Sequence, residues 1–173
     1  MENYYQTKTT ARLLIRPLTM RDVVQWQLFF DDYASIKLFP AFVTEAPNSA
    51  EIWIQKQLER YANEQLGLMA LVNKNTNEFI GQYSLLTKEI NGIPEIEIGY
   101  SLMPKHTGHG YATEAAQAFK VLAFDNNYTN TLISIIHVDN IASQKVAERN
   151  GMQRNGITNY MGIDAHIYRV TKN

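Results

Sequence analysis

From Glu95 to Leu102 apolar and polar positions alternate: Ile96, Ile98, Tyr100 and Leu102 fall on one side, Glu95, Glu97, Gly99 and Ser101 on the other. A period of two predicts a strand with one apolar face. After Pro104–Gly110 the period changes. Tyr111, Ala115, Ala118, Phe119 and Leu122 make one helical stripe, closed by Asp125-Asn126-Asn127. Arg12–Arg16 is a short apolar run ended by Pro17, read as the first strand, and Thr19 three residues before Asp22 opens a helix to about Phe30. Phe39–Pro47 reads as loop. Asn48 with Glu51 repeats the cap signal for a helix carrying Ile52, Leu58 and Tyr61. Gly67–Val72, five turn formers (Asn73–Asn77) and Phe79–Tyr83 predict a hairpin. Thr131–Val138, rich in β-branched residues, reads as a buried strand, and Asn140–Arg149 as a short helix with Gly151 as its left-handed C-terminal residue. A last strand lies within Ile163–Val170, with a short one near Met152. The order β-α-α-β-β-β-α-β-α-β-β predicts a mixed α/β sheet with helices on both faces.

The 173 residues show no internal repeat and no linker, so a single domain over 1–173 is expected, with polar residues 1–10 as a flexible or peripheral segment. Sixteen Lys and Arg stand against 17 Asp and Glu, a balance that predicts neither a nucleic-acid nor a membrane-surface partner. There is no cysteine, which excludes disulfides, thiolate metal sites and cysteine nucleophiles. The N-terminus lacks an apolar core of signal-peptide length and no apolar run spans a membrane, so a cytoplasmic protein is expected.

The segment Met103–Glu114 carries the chemistry: a strand ends, a glycine-containing loop follows and a helix begins. Gly108 and Gly110 let backbone N–H groups approach a ligand, and the first helical N–H groups attract anions, phosphate above all. A glycine-softened helix start without ligand is the plainer reading. No Gly-x-x-x-x-Gly-Lys-Ser/Thr is present. Gly108-His-Gly110 opens a dinucleotide fingerprint poorly, because Thr113 occupies the third glycine position; Asp139 keeps an NADH-binding enzyme open as a rival.

Lys105-His-Thr-Gly108-His-Gly110 resembles the acyl-CoA-binding motif of the GNAT N-acetyltransferases, Gln/Arg-x-x-Gly-x-Gly/Ala. Glu97-Ile-Gly-Tyr100 before it, Tyr111-Ala-Thr-Glu-Ala115 after it, Val138–Ser143 with Glu148–Met152, and the opening Arg12-Leu-Leu-Ile-Arg-Pro-Leu are similar to the family's RimJ/RimL branch, over roughly residues 11–170. Lys105 replaces the first Gln or Arg, and Ala147 stands where many members carry a tyrosine general acid.

The resemblance implies a mostly antiparallel sheet of six to seven strands. It implies acetyl transfer from acetyl-CoA, without a metal, to a primary amine attacking directly in a ternary complex. The acceptor would be a protein N-terminal α-amine, such as a ribosomal one, or a small amine such as an amino acid, polyamine or antibiotic. A non-catalytic acyl-CoA-binding module is a further alternative. Glu97 is the candidate base and Ser143 the candidate acid or anchor; a solvated strand carboxylate and a helix-face hydroxyl are the plainer readings. Leu102 and Met103 would offer backbone amides to the pantetheine arm and thioester, Lys105, His106, Thr107, Gly108, His109, Gly110, Tyr111, Ala112 and Thr113 the cradle, and Asn140 a cap and a hydrogen bond to the arm. His106 and His109 lack a third ligand for a metal. The acceptor pocket is expected from the first two helices and the stretch Phe29–Phe42. A monomer or a homodimer fits equally.

Overall fold

The computed structural model describes residues 4–40 and 46–172. The centre of the expected Phe39–Pro47 loop, and the last part of the Phe29–Phe42 stretch, lie outside the described residues. Among the described residues eight strands form one sheet: β1 (Lys8–Thr9), β2 (Leu13–Pro17), β3 (Met69–Asn73), β4 (Phe79–Ile90), β5 (Ile93–Leu102), β6 (Thr131–His137), β7 (Gln153–Tyr160) and β8 (Ile163–Thr171). Their order is β1-β2-β3-β4-β5-β6-β8-β7. Only β5 and β6 run parallel; every other neighbouring pair is antiparallel. Among the described residues the α-helices are α1 (Val23–Phe30), α2 (Tyr33–Ile36), α3 (Ser49–Ala62), α4 (Tyr111–Asp125) and α5 (Ile141–Arg149).

The two sheet faces bury different helices. Phe119, Ala115 and Ala123 of α4, with Ala147 of α5, pack on Ile15, Leu71, Tyr83, Leu85 and Ile98. Trp26, Phe29 and Phe30 of α1, with Ala50 and Ile54 of α3, pack on Leu18, Ala70, Val72 and Phe79. The apolar side of β5 belongs to the first cluster, which leaves Glu97 and Gly99 on the α3 side. Before α1, the Thr19 N–H donates to Asp22 Oδ2 at 2.8 Å, and Arg16 binds both Asp22 oxygens at 2.7 and 2.9 Å. At the other end of the chain, Gly151 (φ 79°) closes α5 as the Met152 N–H bonds back to the Ala147 carbonyl.

Two expectations are corrected. Residues 4–10 are part of the fold: Tyr4 is fully buried, its ring packs against Phe119, and its hydroxyl bonds the Gly67 carbonyl and the Leu85 N–H at 2.9 Å each. Lys8 and Thr9 add an eighth strand at the sheet edge. The segment near Met152 is a full strand, β7, that reads as irregular because most of its positions face solvent. Among the described residues no helix is long and apolar enough to cross a membrane.

Candidate active site

Strands β4 and β5 are joined by Asn91-Gly92, both at positive φ (52° and 78°), the two-residue turn that suits the right-handed twist of a hairpin. This turn sets the register: Leu86 faces Glu97 and Lys88 faces Glu95. On its other edge β5 meets β6 at a single register pair, Glu97↔Ile133. The Met103 N–H donates to the Ile80 carbonyl at 2.9 Å. Antiparallel alternation then turns the N–H and C=O groups of Ile98, Tyr100 and Leu102 away from β4, toward the gap beside β6. The Ser134 hydroxyl reaches into that gap and donates to the Ile98 carbonyl at 2.9 Å.

A cavity of about 590 Å³ opens on the Glu97 side, walled by Trp53 of α3, Ser134 and His137 of β6, Asn140 and Ser143 at the start of α5, and Tyr160 of β7. Glu97 lies on its floor, only 9% exposed. Burial raises the Glu97 pKa above the ordinary carboxylate value; the nearby Lys88 ammonium and the Ile135 N–H, 3.4 Å from Oε1, oppose that shift without cancelling it. Lys88 Nζ stands 3.5 Å from Glu97 Oε2 and donates to the Tyr160 hydroxyl at 2.7 Å. Burial works to lower the Lys88 pKa, but Glu97 and Tyr160 outweigh it, so the group is held as an ammonium. A Cβ at Gly99 would sit 3.8 Å from Glu97 Oε2, so the glycine leaves that oxygen open to the cavity.

The Asn140 side chain caps α5 by accepting from the Ser143 N–H at 3.1 Å. The Tyr100 hydroxyl donates to the Ser143 carbonyl at 3.2 Å, and burial pushes its pKa up to about 12. Ala147, one turn further along α5, is buried in the core.

The glycine loop lies outside the cavity wall. Gly108 and Gly110 have φ of 79° and 81°, so both require the left-handed region. A Cβ on Gly108 would meet nothing within 4 Å; the loop leaves there the open space an anion needs. Gly110 is the N-terminal cap residue of α4, whose first N–H groups, at Tyr111, Ala112 and Thr113, have no helical partner of their own. Arg12 braces the loop from the residue before β2. Its guanidinium donates to the His109 carbonyl (2.9 Å) and to Glu114 Oε2 (2.7 Å), and it lies over the Tyr111 ring at 4.5 Å.

The structure brings Glu97, Asn140 and Ser143 to one cavity and puts Gly108, His109 and Gly110 at a helix start. It corrects other expectations. The Met103 N–H is committed to Ile80 and is not free for a ligand; among the two strand-end amides, Leu102 alone faces the gap. The N–H groups of His106 and Thr107 close a 3-10 turn on Met103 and Pro104. Lys105 points away to Glu78, pairing at 2.8 Å. His106 is buried beside the Tyr111 ring with Nε2 unpartnered, and burial together with Lys105 lowers its pKa. Among the described residues no group of three His, Asp or Glu could hold a metal ion. Sequence reasoning misses the places of Lys88, Tyr160 and Arg12; the Asn91-Gly92 hairpin signal is the one that could put Lys88 beside Glu97.

Comparison with known proteins gives a consistent picture. The sequence model described as "Acetyltransferase (GNAT) domain" matches residues 12–153. The chain is 34% identical to "Uncharacterized protein YkkB" of Bacillus subtilis over 100 residues, 58% of this chain and 56% of that one, so the match spans little more than half of that relative. It is 27% identical to "Uncharacterized N-acetyltransferase YnaD" of the same organism, over 86% of this chain and 83% of the other. An acetyltransferase structure from Agrobacterium tumefaciens superposes with a TM-score of 0.77 at 29% identity, covering 96% and 95% of the two chains. RimL, a ribosomal L7/L12 α-N-protein acetyltransferase solved with coenzyme A, has the same fold (TM-score 0.78, 18% identity, 96% and 98% covered).

Proposed function

We infer the reaction of this chain, which belongs to the acetyltransferase (GNAT) family and is an N-acetyltransferase, to be transfer of an acetyl group from acetyl-CoA to an α-amine, in the manner of the RimJ/RimL branch. The observation that carries this reading is the buried Glu97 on the floor of a cavity, at the strand whose end leads into the Gly108–Gly110 loop.

Acetyl-CoA supplies an acetyl thioester, open to direct attack by an amine. The loop fits its pyrophosphate: left-handed glycines, open space at Gly108, and the unpartnered N–H groups of Tyr111, Ala112 and Thr113 aimed outward from a helix start. The free edge of β5, through the N–H of Leu102, suits the amides of the pantetheine arm and a developing oxyanion. Glu97 takes the proton of the acceptor amine, directly or through one water. A carboxylate with a raised pKa is a better base at neutral pH than an ordinary one, and it suits an amine that is easily neutral. An N-terminal α-amine has a pKa of about 7.7–8.0 against about 10.4 for lysine, which favours the former as acceptor. The Lys88 ammonium near the same spot disfavours a charged acceptor further. Ser143, on the cavity wall, anchors the leaving sulfur by a hydrogen bond or relays to it the proton that the amine gives up, and ends as the neutral hydroxyl. Asn140 anchors the pantetheine arm with the amide not used in its cap.

The test is a thermal-shift series with acetyl-CoA, CoA, NADH and ATP, followed by thiol release with a short peptide bearing a free α-amine. A ligand at about 100 times its Kd adds roughly 2.7 kcal/mol of stability. Stabilisation by CoA and acetyl-CoA, with turnover on the peptide, is expected. Stabilisation by NADH alone contradicts the reading. CoA binding without turnover on any amine leaves an acyl-CoA-binding module.

A further inference from the structure

The Ala147 position removes a familiar proton donor, and the cavity holds a charged group that the family resemblance does not supply. Lys88 reaches the floor from β4, with its side chain 23% exposed. Its ammonium sits between two cavity groups: Glu97 Oε2 at 3.5 Å and the Tyr160 hydroxyl at 2.7 Å, with the Tyr160 ring 5.0 Å away. The hydroxyl, coming from the β7–β8 hairpin, fixes where the flexible lysine ends. We propose that Lys88 is a positioning residue of the acetyl-transfer reaction, holding Glu97 ionised and turned to the cavity so that it can accept the acceptor's proton. This rests on the reading of Glu97 as the base.

The other charged groups in or near the cavity lining do not replace it. Arg169 of β8 is taken up by Glu95, at 2.5 and 3.1 Å. His137 of β6 accepts the Asp139 N–H at 3.0 Å through Nδ1. Lys56 and Arg60 of α3 also line the cavity, without an ion pair to Glu97, and Arg60 donates to the Leu66 carbonyl. Lys88 is the cation within ion-pair distance of Glu97 among the described residues. Removing an opposite charge this close makes a buried carboxylate easier to protonate. Without Lys88, then, Glu97 is lost as a base over a wider stretch of acid pH.

The absence of cysteine permits a clean test. In Lys88→Cys the charge is removed, and alkylation with bromoethylamine restores an ammonium on a chain of nearly the original length. Glu97 is followed by the carboxyl resonance of 13C-glutamate-labelled protein, assigned by its disappearance in Glu97→Gln, and kcat/KM is measured across pH with the peptide acceptor. The Glu97 titration and the acid limb of kcat/KM are expected to move together to higher pH in Lys88→Cys, costing roughly tenfold or more in rate on that limb, and to return after aminoethylation. Lys88→Met serves if the cysteine variant does not fold, with Lys88→Arg as its rescue. An unmoved Glu97 titration, or a shift that restored charge leaves in place, overturns the proposal. If Glu97→Gln instead keeps wild-type turnover, the base assignment falls while the resonance still decides what Lys88 does to the carboxylate.

Discussion

Two carboxylates stand two residues apart on the same face of β5, and they are held in opposite ways. Glu95 is clamped by Arg169 through both oxygens, at 2.5 and 3.1 Å, and Arg169 is itself braced by Asn155 at 3.0 Å. The planar fork of arginine matches a carboxylate, so this pair is built to stay in place. Glu97 has a single lysine 3.5 Å from Oε2 and a long contact from the Ile135 N–H to Oε1, and the oxygen beside the lysine also faces a cavity. A carboxylate that is fully bound has no lone pair to spare for a proton in transit. One that is buried, loosely held and raised in pKa does. The contrast separates a structural role from a chemical one within a single strand.

The sharpest break between the two is in rate. Glu97→Gln should lower kcat by roughly 10²–10⁴ with a peptide α-amine, the usual contribution of a general base, while Glu95→Gln should stay within about fivefold of wild type. Equal losses in both, read by thiol release, would erase the distinction. Stability should split the other way. Glu95→Gln leaves Arg169 without its charged partner and should cost about 2 kcal/mol; in Glu97→Gln the loss of the Lys88 pair is offset by removing a carboxylate that burial penalises, and Lys88 keeps its bond to Tyr160, so stability should change by less than about 1 kcal/mol, both read by urea unfolding. Gly81→Ala acts on the frame that carries both. A Cβ there would fall 2.3 Å from the Ser101 carbonyl oxygen, which forces β4 and β5 apart, and a loss of about 1–3 kcal/mol is expected in the same unfolding assay.

The smallest effect is in the pH dependence of stability. Burial works to raise Asp22, but its paired hydrogen bonds from Arg16 and the Thr19 N–H hold it below the ordinary value. Its contribution is therefore present above the unfolded carboxyl value and lost as pH falls through the lower folded one. For Glu97, raised on folding, the sign reverses: its contribution is present at acid pH and lost as pH rises through the folded value. Asp22→Asn should flatten the fall in melting temperature below about pH 4, and Glu97→Gln should not. A flattened profile in Glu97→Gln would mean that folding lowers the Glu97 pKa instead of raising it.

Much of this contrast is legible along the chain, because it depends on local patterns. The strict alternation over Glu95–Leu102 puts Glu97 and Gly99 on one face, and the glycines before Tyr111 mark a helix start open to an anion. Asn91-Gly92 is an equally local signal, and a hairpin at that turn brings Lys88 to the strand face that carries Glu97. Other parts rest on distant contacts that no window of sequence contains. Tyr160 arrives through β7, an edge strand whose exposed positions show no alternation. Tyr4 sits in a polar stretch, and its burial depends on meeting Gly67 and Leu85. Whether the amide of Met103 or of Leu102 is free follows from register, which differs by one residue between the two outcomes.

The most direct measurement is the pH profile of kcat/KM for acetyl transfer to a peptide α-amine at saturating acetyl-CoA, in wild type and in Glu97→Gln side by side. With Glu97 as the base, wild-type activity rises with pH through the titration of a carboxyl group raised by burial, and the variant loses both that limb and roughly a hundredfold or more in rate. A variant that keeps the wild-type profile and rate would show that the proton leaves the amine by another route.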